Sequence, residues 1–130
     1  MNIKSTSLGY LVAAVVMSTS ALAATQAFAH GAKPKYGGVV QSASDLSFEL
    51  VPTGEGATLY VIDHDAEFDT AGTSGKLTAL NGAEKSEAEL KPAGGNKLEA
   101  KGVKLGKGSK AVAVLTTPAK KAITVRFTMK

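Results

Sequence analysis

A chain of 130 residues with 15 Lys and Arg against 11 Asp and Glu, a formal net charge of +4, and neither cysteine nor tryptophan holds one small domain at most. The absence of thiols excludes a disulfide framework, a thiolate zinc site, an iron–sulfur cluster and a cysteine nucleophile. Any metal must therefore be held by nitrogen and oxygen donors. The mild charge is no nucleic-acid signature, and aromatic residues at 5% leave no platform on which bases would stack.

Residues 1–29 read as a secretory signal peptide. Lys4 supplies the positive start, Leu8 to Val16 the apolar run, and small residues follow through Ala29. The run contains Gly9 and gives way to Ser18, Thr19 and Ser20, short of the roughly 20 apolar residues that a membrane span needs. No membrane span is expected in the mature chain. Two Ala-x-Ala sites, Ala21-Leu22-Ala23 and Ala27-Phe28-Ala29, offer cleavage after Ala23 or after Ala29, and the second would make His30 the first residue. Either places the protein in the periplasm. Residues 30–37 then read as a flexible N-terminal arm, because Pro34 and the lack of apolar periodicity leave it little to bury.

Residues 38–130 read as the domain, and its elements are strands. From Asp45 to Val51, Leu46, Phe48 and Leu50 alternate with Ser47 and Glu49, which predicts one buried row and one row toward water. Leu59 to Ile62 is wholly apolar and follows the turn residues Thr53-Gly54-Glu55-Gly56. Lys76 to Leu80 and Ala83 to Leu90 flank Asn81-Gly82, a hairpin signal because both residues tolerate positive φ. The Glu and Lys residues of Ala83 to Leu90 would also suit a helix, but that segment is short and bounded by Gly and Pro. Asn96 to Ala100 is a further strand. Ala111 to Thr117 and a last strand with Ile123, Val125, Phe127 and Met129 inward flank Pro118-Ala119-Lys120. Together these predict an all-β fold, a small immunoglobulin-like β-sandwich of seven to eight antiparallel strands.

Charge is unevenly placed along this domain. Residues 30–69 carry Lys33 and Lys35 against seven acids, whereas 70–130 carry twelve bases against four acids. Lysines spread along strands keep a β-protein soluble and its edges unpaired.

The donors for chemistry are few. His30, if freed by cleavage after Ala29, offers its α-amine and its imidazole to one metal, a two-nitrogen chelate suited to copper(II), with zinc or nickel as alternatives. Both groups must lose their protons, at ordinary pKa values of ~7.7 and ~6.5, so affinity falls toward acid. His64 stands in Asp63-His64-Asp65-Ala66-Glu67-Phe68-Asp69, read as a loop of turn-favouring acids. Asp63, His64 and Asp65 are the residues that would complete a sphere begun by His30, if the fold brings the arm there; otherwise the run is simply a solvated loop. It is no calcium-binding EF-hand, whose sixth-position glycine is replaced by Phe68. No nucleophile motif or glycine-rich phosphate cradle followed by a helix is present, so neither an enzyme nor an organic cofactor is expected.

Tyr36-Gly37-Gly38-Val39-Val40, the run Asp45 to Val51, Tyr60-Val61-Ile62-Asp63-His64 and the closing Val125-Arg126-Phe127 resemble a family of small bacterial periplasmic proteins, similar to periplasmic segments of heavy-metal efflux systems of the resistance–nodulation–division type. The resemblance implies an immunoglobulin-like domain and a link to copper or zinc homeostasis. A looser likeness, through His30, is to periplasmic copper-resistance carriers whose mature chain starts with a copper-binding histidine. The expected function is thus a secreted, monomeric protein that binds or handles divalent transition metal. The alternative is an accessory interaction module that docks onto an efflux or envelope protein without metal.

Overall fold

The computed structural model describes residues 33–130, and every regular element among them is a strand. The strands are β1 (Val39–Ala43), β2 (Leu46–Pro52), β3 (Gly56–Asp63), β4 (Ala66–Glu67), β5 (Ser74–Asn81), β6 (Glu84–Pro92), β7 (Lys97–Lys101), β8 (Lys110–Thr116) and β9 (Ala122–Thr128). Neighbours run in the order β1-β2-β3-β7-β6-β5-β8-β9, with β4 folded back on β3. All pairings are antiparallel. The expected all-β, sandwich-like architecture is the one observed.

The path forms two layers, β1-β2-β3-β7 and β6-β5-β8-β9, hinged at the end of β6. Lys91 and Pro92 pair with Glu99 and Leu98 of β7, whereas Gly75–Asn81 of β5 pair with Glu84–Leu90. At the opposite side β1 and β9 approach within 8 Å between Cα atoms but share no ladder. A strand inserted between them would require about 9.6 Å, two interstrand spacings. The two end strands thus shield each other's edges, and the barrel is nearly closed.

Alternation drives each layer inward. Leu50, Leu59, Leu77 and Leu98 are fully buried, joined by Phe48, Leu115, Val125 and Phe127. The segment with mixed propensity is strand β6, because Leu90 and the half-buried Ala88 point into this core while Lys85, Glu87 and Glu89 stay exposed. Met129 is buried as its alternation predicts.

The turns differ from expectation in two places. The β5–β6 turn is centred on Gly82-Ala83, with Asn81 still paired to Glu84 and Gly82 at φ 62°. Asn81 is held in the strand because its amide stitches down the long β7–β8 loop: Nδ2 donates to the Lys104 carbonyl at 2.7 Å, and Oδ1 accepts from the Ser109 hydroxyl. The acidic run after Ile62 is also tighter than a loop. Asp63 pairs with Ala66 across His64-Asp65, both at positive φ (47° and 71°), the two-residue geometry that matches strand twist. Ser44-Asp45 repeats it between β1 and β2.

On the outer face of β5–β6, Glu87 bridges Lys85 at 2.9 Å and Lys76 at 3.1 Å. The hydrogen bond from Lys85, then that from Lys76, holds its carboxyl below the ordinary value of 4.5. A depressed carboxyl stabilises the fold above that ordinary value, and the gain is lost as pH falls through the folded-state value. Exposed pairs contribute little. Glu87→Gln should therefore leave urea stability at neutral pH almost unchanged and slightly flatten its fall in acid. Leu77→Ala, in contrast, empties a fully buried site and should cost about 2–5 kcal/mol by the same measurement, whereas the exposed Leu80→Ser should stay within about 0.5 kcal/mol.

Candidate functional site

His64 and Asp63 sit side by side at the tip of the β3–β4 hairpin, with Nδ1 of the ring 2.6 Å from Oδ1 of Asp63. Their side chains are 78% and 48% exposed. A carboxylate only accepts, so in the neutral ring Nδ1 carries the proton and Nε2 keeps its lone pair facing solvent. A carboxylate behind one ring nitrogen is the arrangement that orients a histidine whose other nitrogen ligates a metal. Asp65 occupies the second position of the same turn. Asp63, His64 and Asp65 thus share one four-residue hairpin, Asp63–Ala66, in which the Asp63–His64 pair is in contact; His30 lies outside the described residues. Among the described residues no group of three or more His, Asp or Glu is placed to hold a metal ion.

The hairpin stands on a stiff base. Val61 donates its N–H to the Asn96 carbonyl at 2.9 Å, and its own carbonyl accepts from Phe68 N–H and from Asn96 Nδ2, each at 3.2 Å. Buried Thr70 has its hydroxyl 2.9 Å from the Lys97 carbonyl and 3.1 Å from that of Gly95. The side chains of Asn96 and Thr70 are matched locally, whereas the buried Thr73 hydroxyl on the same loop has no partner among the described residues.

The residue that alternation alone misplaces is Glu49. It faces away from the core, as expected, yet it is only 1% exposed. Its carboxylate accepts three backbone N–H groups: Lys35 on Oε1 at 2.7 Å, and Tyr36 and Gly38 on Oε2, each at 2.8 Å. Residues expected to be part of a flexible arm thus lie fastened over sheet β1-β2-β3. Glycine is required for the approach, because a Cβ on Gly38 would run into the Leu50 carbonyl, and Gly37 adopts φ 79°. Tyr36 continues the cover. Its ring stacks on Tyr60, centroids 3.7 Å apart and 7° from parallel, and Tyr60 is the cross-strand partner of Glu49. The available signal was a single acid inside the apolar run Phe48 to Val51, with Tyr36-Gly37-Gly38 shortly upstream.

The other hollows are less suited to chemistry. The wedge where β6 leaves β7 encloses about 400 Å³ and is lined by Ala88, Glu89, Lys91, Pro92, Ala93, Glu99 and Lys101. Its charges balance across the gap and it contains no imidazole or hydroxyl. No protein-family model, characterised protein or solved structure matches the chain.

Charge-assisted hydrogen bonds are each worth about 1.5–3 kcal/mol, although amides that peel into water recover part of that. Glu49→Ala should therefore destabilise the domain by about 2–4 kcal/mol in urea unfolding. Hydrogen exchange at the Tyr36 and Gly38 amides should rise toward that of an open peptide, while amides shared by β5 and β8 keep their protection.

Proposed function

We propose that this protein is an exported, non-enzymatic β-sandwich of the periplasm that binds divalent transition metal, copper(II) first, for homeostasis or efflux. Its ligands are the amine and imidazole of His30 together with His64 Nε2 and the Asp65 carboxylate, with Asp63 orienting the His64 ring. Three nitrogens and one oxygen suit the tetragonal geometry of copper(II), and the same donors should bind nickel and zinc less tightly.

The observation that carries this reading is the fastening of Lys35 to Glu49. Glu49 is level with Tyr60, three residues before Asp63 on β3, so the turn lies about 10 Å farther along the strand. His30 is five residues from Lys35, and five residues span at most about 17 Å. A tether of that length is long enough to reach the turn.

The test begins with intact mass of the secreted protein, which should show a chain starting at His30. Copper(II) titration of that protein should give about one equivalent bound, with affinity falling as pH is lowered and the nitrogen donors take up protons. His30→Ala and His64→Ala should each weaken binding by about tenfold or more. Wild-type affinity in both variants would reject the site.

A further inference from the structure

The two ends of the sandwich carry opposite charge. Because strands alternate in direction, the β1–β2 turn, the β3–β4 turn, the loop after it and the β8–β9 turn share one end, which collects Asp45, Asp63, Asp65, Glu67 and Asp69 against Lys120 and Lys121, so negative charge is in excess there. The other end holds the β5–β6 turn, the β7–β8 loop and the close of β9. There Lys85, Leu80, Lys110 and Thr128 stand in one cross-strand row on the outer face of β6-β5-β8-β9. Lys104 is fixed beside that row by Asn81 and by its N–H donating to Ser86 Oγ at 3.3 Å. Lys107 and Lys130 flank one groove at the same end, and Arg126 lies two residues back along β9.

Lys104, Lys107, Lys110, Arg126 and Lys130 form no ion pair among the described residues. The acids at that end are Glu55 and Glu84, so positive charge is in excess. Between these cations stands one apolar side chain: Leu80, 39% exposed, lies between Lys85 and Lys110 in the cross-strand row. Charge complementarity calls for an anionic partner. An aliphatic side chain set between lysines narrows it to a surface with anionic heads and hydrocarbon just beneath. A nucleic acid would instead favour exposed aromatics for stacking, and Tyr36 and Tyr60 are stacked on each other on the opposite layer.

We propose that this basic end is a docking surface for an anionic lipid bilayer, with Lys104, Lys107 and Lys110 on headgroup phosphates and Leu80 at the acyl boundary. Docked this way, the acidic end with the His64 turn faces away from the membrane. The proposal is independent of metal binding.

The test is co-sedimentation of the processed protein with vesicles of phosphatidylcholine alone and of phosphatidylcholine with an equal amount of phosphatidylglycerol. Binding is expected only to the second, and it should be lost near ~0.5 M salt, where screening lengths shrink to a few ångströms. A variant combining Lys104→Glu, Lys107→Glu and Lys110→Glu, its fold checked by an unchanged thermal melt, should bind anionic vesicles about tenfold or more weakly. Leu80→Ser should weaken vesicle binding about threefold while leaving retention on a heparin column unchanged. Equal binding to both vesicle types, wild-type binding by the triple variant, or heparin retention without vesicle binding would each overturn the proposal.

Discussion

Glu49 carries a charge that the fold has removed from water without giving it a basic side chain. The compensation comes from the backbone, as three N–H groups of Lys35, Tyr36 and Gly38 converge on two oxygens. Charge-assisted bonds of this kind are strong in a site that excludes solvent, and an acceptor left bare there would be costly. Carboxylate and strap therefore depend on each other. Without the strap Glu49 is a solvated residue on an outer face, and without Glu49 residues 35–38 lose three hydrogen bonds and keep the Tyr36–Tyr60 stack and the packing of Gly38 on Leu50. The dependence turns part of a two-layer sandwich into three layers, and it fixes the course of residues 35–38 over the outer face.

That constraint links the fold to the chemistry proposed for it. A histidine on a longer free arm would meet the β3–β4 turn at lower effective concentration than one whose tether to an anchor on the adjacent strand is five residues long. The turn is prepared on its side. Asn96 and Thr70 lock the loops below it, and Asp63 sets the ring of His64. Metal sites gain most when their ligands are ordered before the ion arrives.

Topology also reshapes the charge pattern. Along the chain the acids cluster before residue 70 and the bases after it. The up-and-down course of the strands places the acids of the β1–β2, β3–β4 and β4–β5 connections at one end, where they outnumber Lys120 and Lys121, and the β7–β8 loop carries lysines to the other. A modest net charge thereby becomes a directional one, which matters more for orientation at a charged surface than the total does.

Much of the fold was legible because alternation is a local property. Leu46, Phe48 and Leu50, or Ile123, Val125, Phe127 and Met129, specify a buried row wherever the strand is placed, and glycines with acids mark the tight turns. The acidic run read as a loop hid a hairpin, since two residues of pairing, Ile62 with Glu67 and Asp63 with Ala66, leave almost no periodic trace. Asn81 illustrates the same limit: its turn signal was sound, but the Lys104 carbonyl and the Ser109 hydroxyl on the distant loop decided which residue opens the turn. What the amino-acid order determined alone is thus the strand content, the core row of each strand, and the scarcity of histidine donors. Only the tertiary structure decided that Glu49 is buried and that Tyr36 pairs with Tyr60, because both follow from a segment eleven or more residues upstream crossing the outer face. Side-chain periodicity reports which way a residue points, and burial depends on what the rest of the chain lays over it.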